Sequence, residues 1–368
     1  VAALQAKTAL FARSTLGRAG RPDPAFQISA VSNGGASPPI AVIGAGSWGT
    51  ALAIQFARTG RVTRLWGRDA AALEAMSRAR RNLRFLPDAG FPPGLECALS
   101  LDAALAGALD VLIAVPSTAF RSVLLQLAPR LRDGMRLAWA TKGFEAGSGL
   151  LPNEVAREVL GSAFPTAVLS GPTFAREVGA GLPTAMTIAS VDEGFATRLA
   201  LDLSAESFRA YTSADIIGVE VGGAVKNVLA IGAGLSDGLG FGANTRIALI
   251  TRGLVEMTRL GVALGAERET FMGLAGLGDL VLSCTDGQSR NRRFGLALAQ
   301  GTTVERALAD IGQTVEGYPA ARAVQAVAAR VGARMPIADG LYHVLYENLP
   351  ATEVVRGLMR RPVRPEFD

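Results

Sequence analysis

The feature that most restricts what this chain can fold into is a run of glycines set directly behind an apolar strand. Ile40-Ala41-Val42-Ile43 leads into Gly44-Ala45-Gly46-Ser47-Trp48-Gly49, and Thr50 to Arg58 then reads as a helix with Leu52 and Phe56 on one face. The G-x-G-x-x-G spacing alone is weak, but between a strand and a helix it is specific for a dinucleotide site. Gly44 allows the tight turn, Gly46 lets backbone approach a pyrophosphate, and Gly49 lets helix and strand pack closely. The helix N-terminus then offers free N–H groups and a positive dipole end to the phosphates.

Further short apolar strands follow at Val62 to Trp66, Val111 to Val115, Arg136 to Thr141 and Ala167 to Ser170, with helical stretches between them. That alternation predicts an α/β fold with a parallel, doubly wound, Rossmann-type sheet over residues 39–214. After Asp215 the strand signals fade. Residues 216–236, 244–264, 303–311, 317–331 and 337–347 all read as helices, so residues 215–368 are expected to form a mainly α-helical C-terminal domain. A chain of 368 residues, 49% hydrophobic, has enough material for two such cores. Residues 1–38 differ: arginines, almost no acid, then Ser-Asn-Gly-Gly-Ala-Ser-Pro-Pro. They read as a disordered or non-native tail, with a transit peptide as the other reading.

The net charge is +5, spread along the chain without a block of like charges. No nucleic-acid-binding signature is present, so anionic small molecules are the expected partners. Two cysteines, Cys97 and Cys284, suit a reducing, cytoplasmic setting and leave no cysteine metal site. No metal is expected. No apolar run reads as a membrane span, since the glycine-rich stretch after Ala224 is broken by Lys226 and Asp237. A homodimer is the expected assembly.

The second strand tests the choice of cofactor. It ends Trp66-Gly67-Arg68-Asp69. Arg68, with Arg64 or Arg61 nearby, suits the 2′-phosphate of NADP, whereas Asp69 leaves NAD open. NADP(H) is therefore expected, with NAD(H) as the second cofactor. Lysine is the next signal. Of 37 Lys plus Arg, only Lys7, Lys142 and Lys226 are lysine. Arginine keeps its proton, whereas a buried lysine can give one up. Lys142 stands at a strand's carboxyl end and Lys226 among small apolar residues, where a lowered pKa is expected. His343 sits late in a plain amphipathic helix and reads as structural. No Tyr-x-x-x-Lys spacing is present, so a lysine is the best general acid available. The polar run Ser289-Arg290-Asn291-Arg292-Arg293 reads as a loop that suits a phosphate.

Gly44 to Ala53 (GAGSWGTALA), Asn82 to Pro87 (NLRFLP), Ala140 to Gly143 (ATKG), Ser170 to Phe174 (SGPTF), Gly222 to Asn227 (GGAVKN), Ser236 to Asn244 (SDGLGFGAN), Gly276 to Leu280 (GLGDL), Gln288 to Gly295 (QSRNRRFG) and Val315 to Gly317 (VEG) together resemble the bacterial NAD(P)-dependent glycerol-3-phosphate dehydrogenases. The resemblance covers residues 40–360. It implies reversible reduction of dihydroxyacetone phosphate to sn-glycerol 3-phosphate, for phospholipid synthesis. It places Ser47, Trp48, Arg68, Lys142, Ala175, Arg290, Thr314 and Glu316 on the cofactor. It places Lys142, Gly171, Thr173, Lys226, Asp279, Ser289, Arg290 and Asn291 on the substrate. Lys226 matches the proton donor or acceptor, Lys142 adds positive field, Asp279 orients Lys226, and Arg290 with Asn291 holds the phosphate. Arg176 departs from the lysine that relatives often carry there. The competing readings are a related β-hydroxyacid or ketopantoate-type reductase and a non-catalytic NADPH-binding module.

Overall fold

The computed structural model describes residues 37–363, 365 and 366. The expected tail thus lies, but for its last two residues, outside the described residues. In chain order the first elements are β1 (Ile40–Ile43), α1 (Ser47–Arg58), β2 (Thr63–Trp66), α2 (Ala70–Ala79), β3 (Arg81–Asn82), β4 (Leu86–Gly90), β5 (Leu95–Cys97), α3 (Leu101–Leu105), β6 (Asp110–Ile113), α4 (Ser117–Leu127) and β7 (Arg136–Trp139). Next come α5 (Pro152–Leu160), β8 (Thr166–Ser170), α6 (Ala175–Ala180), β9 (Thr184–Ala189), α7 (Glu193–Leu203) and β10 (Phe208–Ser213). The remaining helices are α8 (Ile216–Gly238), α9 (Gly242–Ala263), α10 (Asp279–Thr285), α11 (Arg290–Ala299), α12 (Val304–Ile311), α13 (Gly317–Val331), α14 (Pro336–Tyr346) and α15 (Ala351–Met359).

Eight strands form one sheet in the order β10-β9-β8-β7-β6-β1-β2-β5, and β3 with β4 forms a separate hairpin. Strand β1 is apolar along its length, and β6 from Val111 on, because both faces are covered there. Ile40 and Val42 of β1 belong to one core with α1 and α7, whereas Ala41 and Ile43 belong to the opposite core with α4 and α5. The order reverses at β1, so the carboxyl ends of β1, β6 and β7 open a crevice there. Gly44 follows β1, Lys142 follows β7, and Gly171 to Thr173 follow β8.

The sheet departs from an all-parallel one at a single pairing: β8 and β9 are antiparallel. The connecting helix explains this. To return along a five-residue strand of about 17 Å, a helix needs about 11 residues. The six-residue α6 is too short, and the chain turns at the carboxyl end of β8 instead. The edge strands β5 and β10, and β9 beside β10, escape the sequence reading. Glu96, Thr184, Thr187 and Arg209 interrupt their apolar pattern.

Beyond Ser213 the described residues contain no further strand. Helix α8 forms the axis of this half. Helix α11 closes on it through glycines on both sides, for a Cβ on Gly295 would lie 2.0 Å from the Ile231 carbonyl oxygen. By length and composition α8 would pass for a membrane span, contrary to the expectation from sequence, but 94% of its apolar window is buried inside the protein. It is a core helix.

At the other end of the sheet, Asp110 accepts from Arg61 and Arg136, and Arg61 also pairs with Asp202. Burial would raise the Asp110 carboxyl, but the two guanidinium groups outweigh it and hold it below its usual value. Its stabilising contribution is therefore present above the unfolded pKa of about 3.9 and is lost as pH falls through the lower folded value. Asp110→Asn leaves the buried Arg61 and the part-buried Arg136 each short of a partner and should cost about 3 kcal/mol at neutral pH. Urea unfolding should show that gap narrowing in acid.

Candidate active site

The glycine loop performs three separate tasks. Gly44 has φ +123°, and a Cβ there would lie 2.3 Å from the Ala114 carbonyl oxygen. A Cβ on Gly49 would lie 1.9 Å from the Gly44 carbonyl oxygen, so α1 can approach β1 only with glycine at that position. Gly46 is the N-cap of α1 and offers no capping side chain, and nothing lies within 4 Å of where its Cβ would be. That open backbone suits a pyrophosphate. Asn82, from the β3–β4 hairpin, locks the loop by donating to the Ala45 carbonyl at 3.0 Å and to Thr50 Oγ1 at 2.9 Å. Beside the loop, Trp48 Nε1 is buried without a partner among the described residues.

Arg68 is exposed just beyond β2 and makes no ion pair or side-chain hydrogen bond among the described residues. Its neighbours are committed elsewhere. Asp69 caps α2 by accepting from Ala72 N at 3.0 Å. Arg64 donates to the Ala106 carbonyl, and Arg61 is buried in the Asp110 cluster. Arg61 and Arg64 are thus corrected from neighbours of the cofactor to structural residues.

The two lysines singled out by sequence meet on one carboxylate. Lys142 Nζ donates to Asp279 Oδ2 at 2.7 Å and Lys226 Nζ to Asp279 Oδ1 at 2.6 Å. Lys226 also donates to Ser283 Oγ at 3.0 Å. Local backbone makes this convergence fit. The π-helical turn Leu274–Gly278 presents Asp279 at the start of α10. Gly222 of α8 lets that turn approach, since a Cβ there would lie 2.4 Å from the Ala275 carbonyl oxygen. Gly223 leaves room for the stem of Lys142, whose Cγ would be 3.3 Å from a Cβ.

Burial pushes the Lys226 ammonium down to about 8; Lys142 adds to that shift and Asp279 opposes it. Burial would raise the Asp279 carboxyl, but the two ammonium groups outweigh it and hold it below the usual range. The cluster therefore has one more positive charge than negative and holds a proton that is mobile near neutrality.

These groups open onto a cavity of about 420 Å³ shared by Ser47, Trp48, Lys142, Lys226, Arg290 and Asn291. The polar run after Gln288 is a helix start rather than a loop: Ser289 caps α11 by accepting from Arg292 N at 3.3 Å. Arg292 turns away to Asp237 at 2.5 Å, leaving Arg290 and Arg293 on the cavity. Asn291 donates to Asn227 Oδ1 at 2.8 Å and accepts from Gly317 N at 2.9 Å, and Asn227 donates to Glu316 at 3.3 Å. Thr173 and Ala175 also line the cavity. Gly171 and Thr314 do not: Gly171 packs on the backbone of Met186, and Thr314 is exposed just before Glu316. Asn227, Ser283, Gln288, Arg293 and Gln313 reach the cavity or its cluster without having been assigned roles from sequence. Asn227 and Ser283 were findable, at one residue after Lys226 and one helical turn after Asp279.

The sequence model of the NAD-dependent glycerol-3-phosphate dehydrogenase N-terminus matches residues 39–196, and that of its C-terminus matches residues 215–356. The chain belongs to this family. Among its relatives, glycerol-3-phosphate dehydrogenase [NAD(P)+] of Sodalis glossinidius is 58% identical over 326 residues, 88% of this chain and 96% of that one. The protein of the same name from Thioalkalivibrio sulfidiphilus is 57% identical over 330 residues, 90% and 99% of the two chains. A crystal structure of glycerol-3-phosphate dehydrogenase from Coxiella burnetii superposes with a TM-score of 0.85 at 47% identity, covering 88% of this chain and 99% of that one.

In this family member, Asp279→Asn would leave two buried ammonium groups facing one another. Unfolding free energy near neutral pH should fall by about 3–5 kcal/mol. The folded pKa of Lys226 lies below its unfolded value of about 10.4, so stability rises with pH between the two. Urea titrations should show the deficit shrinking toward about pH 10.

Proposed function

We propose that this chain reduces dihydroxyacetone phosphate to sn-glycerol 3-phosphate with NAD(P)H, reversibly, and so supplies glycerol 3-phosphate for phospholipid synthesis. The observation that carries the reading is the Lys142–Asp279–Lys226 cluster. It lies on the wall of one cavity that has the glycine loop at one side and Arg290 at the other. The open backbone at Gly46 and the unpartnered indole N–H of Trp48 fit a dinucleotide. Ser47, Trp48, Arg68, Ala175, Arg290 and Glu316 would hold it, as the family resemblance implies. The chemistry a bound NAD(P)H supplies is hydride for the ketone carbon.

Lys226 gives its proton to the carbonyl oxygen as negative charge grows there: an O–H bond forms, the N–H bond breaks, and Lys226 is left neutral. Lys142 adds positive field at the same oxygen. Asp279 orients both ammonium groups. Ser289, Arg290 and Asn291, with Thr173, grip the substrate, so phosphate binding energy positions the reacting carbon.

NADP is proposed as the preferred cofactor, supported by an unpaired Arg68 beside an Asp69 already used as a helix cap. A boundary between a sheet domain and a helical domain is proposed between β10 and α8, near residues 214–215; the all-helical run that starts there and the start of the C-terminal family match support it. A cytoplasmic homodimer is proposed as well. The large apolar side chains of Ile247 and Met272, exposed on the helical half, suit a second copy, and sedimentation would test that.

The decisive assay follows NADPH oxidation with dihydroxyacetone phosphate and with the unphosphorylated ketone. Equal rates would remove the phosphate site. Lys226→Arg keeps the charge but not the transferable proton, and should lower kcat by about 100-fold or more. Reduction needs Lys226 protonated, so its rate should fall as pH rises through about 8, while oxidation of glycerol 3-phosphate should rise. Arg68→Ala should raise KM for NADPH and leave that for NADH nearly unchanged.

A further inference from the structure

Glu220 is a buried carboxyl for which the chemistry above has no use. It stands on α8 six residues before Lys226 and is 3% exposed. Its Oε1 accepts from Trp139 Nε1 at 2.7 Å and from the Asn153 backbone N–H at 3.0 Å. Trp139 closes β7 and is itself fully buried, edge-on to Phe120 with ring centroids 5.6 Å apart. Lys142 follows Trp139 by three residues.

The two segments run in step. Trp139 meets Glu220. One helical turn later the stem of Lys142 crosses Gly223. At the next turn Lys226 reaches the carboxylate that already holds Lys142. Apolar packing alone tolerates sliding, whereas a hydrogen bond between a fixed indole and a fixed carboxyl does not. A buried carboxyl is also costly to keep, and an apolar residue would fill the same space more cheaply.

We propose that Glu220 is a positioning residue: by gripping the Trp139 indole it sets the register of α8 against β7, and with it the meeting of Lys142 and Lys226 on Asp279. The proposal rests on the reading that Lys226 transfers the proton. Burial pushes the Glu220 carboxyl up to about 8, and Glu154 in the first turn of α5 adds to the rise. Near neutrality the group is the uncharged acid, for which glutamine is the isostere.

The test compares Glu220→Leu, Glu220→Gln and Trp139→Phe. Glu220→Leu should lower kcat by about 10- to 100-fold and leave KM for NADPH within about twofold, since the glycine loop belongs to other elements. Glu220→Gln should restore most of the loss. Trp139→Phe removes the same bond from the other side, so its effect should fail to add to that of Glu220→Leu. It also serves if the leucine variant does not fold.

A second readout needs no turnover. Acetic anhydride labelling across a pH series, read by mass spectrometry, gives the midpoint of Lys226 cleanly in a chain whose only lysines are Lys7, Lys142 and Lys226. The midpoint should move in Glu220→Leu and Trp139→Phe and hold in Glu220→Gln. Folded variants with wild-type kcat and an unmoved midpoint would overturn the proposal, as would a glutamine variant as damaged as the leucine one. If the unmutated protein shows no turnover of dihydroxyacetone phosphate, the proposed function fails, while the labelling midpoints still decide whether Glu220 sets the register.

Discussion

One carboxylate shared by two lysines is the constraint on which the rest of this structure depends. Asp279 comes from the helical half, Lys142 from the end of a sheet strand, and Lys226 from the helix that packs between them. Either ammonium alone, buried beside the other, would lose its proton or open the structure to water. The carboxylate holds both in place and leaves one net positive charge. That residual charge suits an anionic ligand, so on the proposed reading the same ion cluster serves stability and substrate attraction together.

Much of this was legible in the sequence, for reasons that can be named. The glycine loop is local: spacing, strand and helix lie within about twenty residues, and the requirement at Gly49 is steric. Lys142 and Lys226 stood out because the chain uses arginine wherever charge alone suffices. The helices after Asp215 followed from their period.

What escaped depends on distant partners. Nothing in the pattern around Thr184 to Ala189 shows that a strand there runs antiparallel, because the cause is the shortness of a preceding helix. The run after Gln288 looks like a loop since its polar residues mask a capped helix, and only the fold shows Arg292 turned toward Asp237. Arg61 and Arg64 looked suited to a phosphate until Asp110 and the Ala106 carbonyl were seen to hold them. Asn82 locks the glycine loop from 32 residues beyond Thr50, a distance no local motif spans. The meeting of the lysines on Asp279 was suggested by the family resemblance for Lys226 alone. That Lys142 shares the carboxylate is a fact of tertiary structure.

Helix α8 has a consequence for how the molecule holds together. Its first turns, through Ile216 and Val219, lie in the core beneath the sheet, and the turns from Val221 onward form the core of the helical half. Neither half has a finished interior without it. A fragment ending at Ser213 would expose the underside of Trp139 and its neighbours to water, and one beginning at Gly242 would have no axis to assemble around. The described residues from Ser37 on accordingly cluster as one compact unit. Unfolding of either half should therefore take the lysine pair apart.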